Sequence, residues 1–218
     1  MPRPLLLGHR GARASASIAE NTFRSFDLAL QHGCDGFEFD MRRTVDARPV
    51  ICHDPRHHGV EIALVKGESL PDLPVLEDLL VRYQRRAFLD IELKVPGLES
   101  STLGVLQRYL PERGFVVSSF LPQVVREVAI LDARIPLGII CDTREQLARW
   151  HHLPITHVMP HHKLVSRDLV EEAHAANKKV FVWTINRAED MVRFADWGAD
   201  AIISDDTELL VRTLGKTS

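Results

Sequence analysis

Residues 5–40 read LLLGHRGARASASIAENTFRSFDLALQHGCDGFEFD. A short apolar run ends at His9, an amphipathic segment with near-helical spacing of its apolar residues follows over 21–32, and a second apolar run ends at Asp40. Short apolar runs without strict alternation are typical of parallel strands buried on both faces. The stretch therefore predicts a strand–helix–strand unit with polar side chains where each strand ends.

The same alternation continues along the chain. Apolar runs cover residues 5–9, 36–40 together with 50–52, 87–93, 115–118, 137–140, 157–159, 180–184 and 201–204. Helical patterns cover 21–32, 76–83, 101–109, 123–131, 144–150, 167–176, 188–195 and 207–214, and Ser166 and Asn186 are candidate caps. About eight such units predict an α/β fold, a single-domain (β/α)8 TIM barrel over residues 1–218. An open doubly wound sheet is the alternative, but residues 8–11 (GHRG) are not its glycine-rich phosphate loop.

Composition excludes several classes of protein. The 218 residues are 45% hydrophobic and 26% charged, which is ordinary for a globular protein, and the net charge of -3 argues against a nucleic-acid binder. Apolar runs fall far short of the ~20 residues that span a bilayer, so we expect no stable membrane insertion. Three widely spaced cysteines, Cys34, Cys52 and Cys141, indicate reduced thiols and a cytoplasmic location.

Ionisable residues gather where the first predicted strands end. In a barrel, catalytic groups lie at the carboxyl ends of the strands. The groups concerned are His9 after the first run, Glu38 and Asp40 at the end of the second, His53 after residues 50–52, and Glu92 with Lys94 after the next. The sequence thus predicts one site at this rim of the barrel.

Three carboxylates of this set indicate a metal site. Glu38 and Asp40 are two residues apart on a predicted strand, so their side chains share a face, and Glu92 comes from the next strand. Adjacent carboxylates inside a barrel repel unless a cation neutralises them. A hard divalent ion, Mg²⁺ or Ca²⁺ with Mn²⁺ as a further candidate, suits all-oxygen ligands. The alternatives are surface salt bridges or a structural carboxylate network.

Two imidazoles and two cations supply the remaining chemistry of phosphodiester cleavage. His9 and His53 are candidates for the acid and the base, since imidazole titrates near neutrality. Arg10 and Lys94 are candidates for contacts with the phosphate. The alternative for Lys94 is a structural pair with Glu92 or Asp90.

Two further sets of residues are ambiguous. Glu20 is a candidate for contact with the metal ion or with a substrate hydroxyl, whereas its neighbours Asn21 and Thr22 are candidates for the cap of the first helix.

Three pairs of adjacent histidines lie at 57–58, 151–152 and 161–162. Adjacent residues point in different directions on a regular helix or strand, so we expect these pairs to be poor chelators by themselves and to lie on the surface.

Over nearly its whole length the chain resembles the glycerophosphodiester phosphodiesterase family. The pieces that carry the resemblance are HRG at 9–11, ENT at 20–22, GCDGFEFD at 33–40, HD at 53–54, LP at 73–74, ELK at 92–94, SSF at 118–120, VWTIN at 182–186, GAD at 198–200 and IISD at 202–205. Each piece alone is a weak motif, whereas the ordered set is specific.

The resemblance implies a (β/α)8 barrel that hydrolyses glycerophosphodiesters to glycerol 3-phosphate and an alcohol. It implies Glu38, Asp40 and Glu92 as metal ligands, His9 and His53 as the acid–base pair, and Arg10 and Lys94 near the phosphate. It also implies Phe120 and Trp183 as an apolar wall beside the substrate. It is compatible both with direct attack by water and with prior attack by a substrate hydroxyl, which gives a cyclic phosphate.

One departure from the family pattern concerns the substrate. The insertion after His53-Asp54 is short, covering about residues 55–72, so the cap over the pocket is predicted to be small. A lysophospholipid or another lipid phosphodiester is therefore an alternative substrate. A barrel that binds phosphodiesters or a protein without catalysis is a further alternative. The residues do not indicate the oligomeric state.

Overall fold

A computed structural model of the protein describes residues 3–215. Its strands are β1 (Leu5–His9), β2 (Gly36–Arg43), β3 (Pro49–Ile51), β4 (Arg56–His57), β5 (Val60–Glu61), β6 (Phe88–Leu93), β7 (Phe115–Ser119), β8 (Leu137–Cys141), β9 (His157–Pro160), β10 (Lys179–Val182) and β11 (Ala201–Ser204). Eight of them, β1, β2 and β6 to β11, are parallel neighbours, and β1 pairs with both β2 and β11. The sheet is therefore closed, which confirms the predicted TIM barrel.

Eight α-helices lie between the strands of this described part. They are α1 (Phe23–His32), α2 (Leu76–Tyr83), α3 (Glu99–Arg108), α4 (Pro122–Leu131), α5 (Arg144–Leu147), α6 (Arg167–Ala175), α7 (Ala188–Asp196) and α8 (Thr207–Leu214). Within residues 3–215, no helix combines the length and the apolar character that a bilayer crossing requires. The predicted domain ends, 1 and 218, lie outside the described residues.

Alternate residues of the barrel strands pack in two different hydrophobic cores. Leu7 packs inside the barrel with Phe181 and Ile203, whereas Leu6 and Phe37 pack outward in the larger core between the strands and the helices. Successive side chains of a strand point to opposite faces, so an interior position of β1 or β2 near its carboxyl end faces the mouth of the barrel. The apolar interior cluster fills the lower part of the barrel and leaves that mouth to polar residues.

One predicted strand differs from the expectation. Residues 50–52 do not extend a barrel strand, because the chain reverses after β2 and β3 pairs antiparallel with it, Ile51 lying opposite Met41. The amide of Cys52 then donates to the carbonyl of Asp40 at 3.0 Å. The reversal returns the chain to the end of β2, so His53 reaches the rim although it does not follow a barrel strand.

The two predicted caps have different outcomes. Ser166 caps α6 as expected, since its hydroxyl accepts from the amide of Leu169 at 3.1 Å. The prediction for Asn186 is wrong, because Arg187 occupies the cap position of α7 without a side-chain hydrogen bond. The side chain of Asn186 instead donates to Asp205 at 2.7 Å, and a bond across the barrel rim replaces the local one.

The closed sheet has no room for a side chain at Gly36. A Cβ there would lie 1.8 Å from the carbonyl oxygen of Phe88 on the paired strand β6. We expect Gly36→Ala to lower the free energy of unfolding by about 4 kcal/mol or more, or to prevent folding, because strand pairing cannot shift without opening the sheet. Urea unfolding monitored by circular dichroism measures the change in the free energy of unfolding.

Gly104 in α3 provides the control for this substitution. A Cβ at this position would have no described atom beyond its own helix within 4 Å, and alanine is the better helix former by about 1 kcal/mol. Gly104→Ala is therefore expected to be neutral or stabilising. Equal effects at both positions would show that the close approach at Gly36 is not a constraint.

Candidate active site

Three buried carboxylates meet at the mouth of the barrel. Glu38 and Asp40 lie on β2 and Glu92 lies on β6, where the strand register places Asp40 beside Glu92. One oxygen from each of the three side chains lies within 4.8 Å of the others. Their solvent exposure is 6% or less. The structure thus brings together the three candidate metal ligands.

The electrostatics of this cluster favour a cation. Burial raises the pKa of Glu38 well above its ordinary value, and the charges of Asp40 and Glu92 raise it further. Burial followed by the charge of Asp40 also raises the pKa of Glu92 to about 7. Glu38 Oε1 is buried with no hydrogen-bond partner among residues 3–215. The donor set therefore fits a hard divalent ion, which accepts carboxylate oxygens and offsets the repulsion between them.

Asp40 differs from its two neighbours because cations surround it. Burial alone would raise the pKa of Asp40, but Lys94 and Arg10 outweigh it and lower that pKa. Lys94 Nζ lies 3.2 Å from Oδ1, and Arg10 Nε lies 3.1 Å from Oδ2. The amide of Asn21 also donates to Oδ2 at 2.8 Å. Asp40 is thus held in its charged form, and Asn21 supports it rather than capping α1.

Arg10 and Lys94 face the same cavity as the carboxylates. The backbone amide of Arg10 donates to Glu38 Oε2 at 3.0 Å, and Lys94 Nζ lies 2.7 Å from Glu92 Oε1. Both side chains line the cavity at the mouth of the barrel. The structural pair of Lys94 with Glu92 is therefore present, and it leaves the ammonium group in the cavity.

Glu20 lies outside the carboxylate cluster. Its two oxygens accept from Arg10 Nη1 at 2.8 Å and from Arg13 Nε at 2.6 Å. Thr22, as one of the two predicted options, caps α1 by accepting from the amide of Ser25. Glu20 thus holds the two arginines at the rim, and its contact with the metal shell or a substrate hydroxyl stays a prediction.

His9 is oriented by a carboxylate that the sequence reasoning did not assign. His9 Nδ1 lies 2.7 Å from Asp205 Oδ1, and His9 Nε2 lies 3.9 Å from Glu38 Oε2. Burial would raise the pKa of Asp205, but the hydrogen bonds from His9 and Asn186 hold it well below its usual range. Asp205 is thus ionised, so Nδ1 donates to it and Nε2 faces the cavity. The sequence feature that could have identified Asp205 is its position directly after the last apolar run.

His53 lies across the cavity from this pair and is more exposed. Its Nδ1 is 2.8 Å from Asp54 Oδ1, and a third of the side chain is exposed. Burial lowers the pKa of His53, and the positive charges of Arg10 and Lys94 act in the same direction against the attraction of Asp40. A neutral imidazole near pH 7 is able to accept a proton.

Aromatic side chains form one wall of the cavity. Phe120 and Trp183 meet edge to face with ring centroids 5.6 Å apart, and Trp183 Nε1 donates to the carbonyl of Met159 at 2.8 Å. The cavity measures about 130 Å³. The structure thus places both aromatic residues of the predicted wall beside the polar groups.

Asp90 also lines the cavity, whereas the sequence reasoning considered it only as a structural partner of Lys94. It is fully buried, and Ser118 donates to its Oδ1 at 2.6 Å. Burial raises the pKa of Asp90 to about 8, so it is largely protonated at neutral pH. Its position two residues before Glu92, on the same face of β6, was the signal that could have identified it.

Asp205→Asn tests how strongly catalysis depends on the orientation of His9. An amide in place of the carboxylate removes the charged partner of Nδ1, so we expect kcat to fall roughly 10²-fold or more while the protein stays folded. Steady-state hydrolysis of a phosphodiester measures it. Glu172→Gln is the control, because Glu172 pairs with His151 at 3.2 Å on the surface. Equal activity of both variants would contradict the positioning role of Asp205.

Comparison with known proteins relates this site to one family. Residues 9–61 and 89–209 match the model of the glycerophosphoryl diester phosphodiesterase family. The matched residues include all three carboxylates, both rim histidines and Asp205.

Named relatives are similar to this chain over nearly their full length. A glycerophosphodiester phosphodiesterase of Caldanaerobacter subterraneus subsp. tengcongensis is 27% identical, with 98% of this chain and 99% of that protein covered. The crystal structure of a glycerophosphodiester phosphodiesterase from Parabacteroides distasonis has a TM-score of 0.85 at 23% identity, with 98% of each chain covered. An Oleispira antarctica phosphodiesterase in complex with the product sn-glycerol-3-phosphate has a TM-score of 0.85 at 24% identity, also with 98% of each covered. These structures share the barrel.

Proposed function

Because this chain belongs to the glycerophosphoryl diester phosphodiesterase family and is thus a phosphoric diester hydrolase, we propose that it hydrolyses glycerophosphodiesters to glycerol 3-phosphate and an alcohol with a divalent cation. One observation carries the proposal: three carboxylates, two histidines and two cations line or adjoin a single cavity. The product named in the Oleispira antarctica complex, sn-glycerol-3-phosphate, supports the same substrate class. A barrel that only binds phosphodiesters would not need this complete set.

The carboxylates are proposed to hold the cation. Glu38, Asp40 and Glu92 supply oxygen ligands that suit Mg²⁺ or Ca²⁺, with Mn²⁺ as a further candidate. When bound, the ion polarises the phosphoryl oxygens and stabilises the charge that develops on them. Arg10 and Lys94 face the same space and add positive charge around the phosphate.

The two histidines are proposed to move the protons. Hydrolysis requires that a base take a proton from the nucleophile and that an acid give one to the leaving alcohol. His53 is suited to the first role because its pKa is lowered by burial. His9 is proposed for the second role, because its Nδ1 is fixed by Asp205 and its Nε2 is thereby directed into the cavity, where the leaving alcohol would lie.

Phe120 and Trp183 are proposed to contact the apolar parts of the substrate. Their rings form one side of the cavity, and Lys94 Nζ lies 5.5 Å from the centroid of Phe120. An apolar wall opposite charged groups positions a ligand that has a charged phosphate and a carbon chain. Water and a neighbouring glycerol hydroxyl are both candidate nucleophiles, and ³¹P spectra recorded during turnover distinguish them by the presence or absence of a cyclic phosphate.

A second candidate substrate is a lysophospholipid, which the small cap favours. Residues 55–72 contain only the two-residue strands β4 and β5 and two single turns among their described secondary structure. Val60 and Leu64 on this segment are exposed. A low cap with apolar side chains leaves room for an acyl chain at the mouth of the barrel.

A substrate panel tests the proposed function. We expect glycerol 3-phosphate to be released from glycerophosphocholine and glycerophosphoethanolamine, with kcat/KM at least tenfold above that for lysophosphatidylcholine, because the small cavity, with charged groups beside an aromatic wall, fits the glycerol phosphate best. An enzymatic assay for glycerol 3-phosphate, together with detection of the lysophosphatidic acid product, measures both. Turnover of the lysolipid alone would transfer the assignment to the second candidate.

The setting proposed for this reaction is the cytoplasm, with a small-molecule substrate. Within residues 3–215, Cys34, Cys52 and Cys141 are all free thiols, in agreement with a reducing compartment. Burial raises the pKa of Cys34 and Cys141 to about 12, so these two thiols are unreactive.

A further inference from the structure

We propose that His57, His58 and Asp72 form a second cation site, separate from the three carboxylates, that takes a borderline transition-metal ion such as Zn²⁺. The site lies on the cap segment, residues 55–72. The proposal is independent of the proposed reaction and of the ion held at the mouth of the barrel.

The distances between these side chains fit one ion. His57 Nε2 lies 2.6 Å from Asp72 Oδ2, and His58 Nε2 lies 3.3 Å from the same oxygen. One ligand atom from each residue lies within 4.8 Å of the others. Ligands held tetrahedrally at about 2.0 Å from zinc are separated by roughly 3.3 Å, so the three atoms are close to the arrangement that the ion requires.

The backbone explains how two adjacent histidines point to one carboxylate. In a regular strand their side chains would diverge, which is why the sequence predicted a poor chelator. His57 ends β4, but His58 has φ 49° and Gly59 has φ 80°, both in the left-handed region. This turn brings the two imidazole centroids to 4.1 Å. The two side chains therefore face one carboxylate although they are adjacent, and the expected surface position agrees with the 80% exposure of His58.

The donor set distinguishes this site from the carboxylate cluster. Two imidazole nitrogens and one carboxylate oxygen are ligands that zinc and its neighbours prefer, whereas magnesium and calcium prefer oxygen alone. Asp72 is about half exposed and His58 is 80% exposed, so an ion and a completing water molecule reach the site from solvent. The hydrogen bond from His57 lowers the pKa of Asp72, which keeps this ligand charged at neutral pH.

Binding at this site would join the two ends of the cap. His57 lies near the start of the segment 55–72 and Asp72 lies at its end, so one ion would bridge both ends of the segment. His57 also follows His53 by four residues. The ion would therefore restrain the backbone that carries this candidate catalytic histidine.

Zinc titration in the presence of millimolar Mg²⁺ tests the proposal on the full chain. Magnesium is present as a competitor for the all-oxygen cluster, and calorimetry is expected to show one equivalent of Zn²⁺ that depends on residues 57 and 58 in the wild type. The double variant His57→Ala/His58→Ala is expected to lose that equivalent, and the exposed single variant His58→Gln is expected to bind at least tenfold more weakly. Substituting Co²⁺ for zinc should give the visible absorption of a nitrogen- and oxygen-ligated ion in the wild type but not in the double variant at 57 and 58.

The chain contains a matched control. His151 and His152 are also adjacent and exposed, and His151 faces Glu172 at 3.2 Å. His151→Ala/His152→Ala is expected to retain the zinc equivalent, and Glu38→Gln is expected to retain it as well. The proposal is overturned if the wild type binds no zinc in magnesium, or if the variants at 57 and 58 bind as the wild type does.

Discussion

Glu38→Gln is expected to abolish diesterase activity and, at the same time, to stabilise the metal-free protein. The substitution keeps the size of the side chain but replaces one of the three charged oxygen ligands with a neutral amide. We expect kcat/KM to fall about 10³-fold or more, because both ion binding and charge stabilisation on the phosphate depend on that ligand. Hydrolysis of glycerophosphocholine under saturating Mg²⁺ measures the loss.

The gain in stability follows from the raised pKa of Glu38. Below the ordinary pKa of a glutamate, the carboxyl is protonated in both the folded and the unfolded state and costs nothing. As pH rises from there through the raised pKa, the unfolded chain loses its proton first, so the metal-free folded state becomes less stable. Glutamine has no such cost. Above pH 7 in EDTA we therefore expect the variant to be more stable by about 1 kcal/mol or more in urea unfolding.

Glu99→Gln is the control, since Glu99 is buried but lies in α3, where it accepts from the amide of Gly97 at 2.7 Å. It should retain activity and show no such stabilisation at high pH. A metal-free Glu38→Gln protein less stable than the wild type at every pH would contradict the electrostatic account of the cluster.

Removing His9 and removing His53 are expected to lower kcat in different ways, depending on whether the leaving group of the substrate needs a proton. His53→Ala should lower kcat by about 10² to 10⁴ on every substrate, because the nucleophile loses its base. His9→Ala should lower kcat equally on glycerophosphocholine, whose alcohol needs a proton. It should retain most activity on glycerophospho-4-nitrophenol, because nitrophenolate leaves without protonation.

Paired assays with the two substrates separate these roles. The measurement is the ratio of kcat values, choline ester to nitrophenyl ester, in the wild type and in both alanine variants. The account predicts a ratio that falls at least tenfold in His9→Ala and changes little in His53→Ala. The reverse pattern would exchange the two roles, and unchanged kcat in both variants would remove the histidines from the mechanism.

The barrel was predictable because its evidence is local. Each buried parallel strand is a short apolar run, and each helix between strands has its own apolar face, so counting units gave the fold. The candidate metal ligands were equally accessible, since Glu38 and Asp40 share a face of one strand and Glu92 occupies the matching place on β6. The strand period fixes the shared face of Glu38 and Asp40, whereas the register between β2 and β6 places Glu92 beside Asp40.

What the sequence missed depends on pairings across the fold. Asp205 reaches His9 from 196 residues away, and Asn186 joins Asp205 instead of capping its own helix. The reversal that carries His53 to the rim depends on β3 adding antiparallel to β2. No local pattern reports such contacts, because they arise only when the barrel closes.

Metal-dependent release of glycerol 3-phosphate tests the central claim most directly. The protein is stripped with EDTA, assayed on glycerophosphocholine, and assayed again after Mg²⁺, Ca²⁺ or Mn²⁺ is returned, with Glu38→Gln alongside. The account predicts that the stripped protein is inactive, that at least one of the ions restores release in the wild type, and that none restores it in the variant. Full activity of the stripped wild type would contradict the assignment of Glu38, Asp40 and Glu92 as ligands of an essential cation.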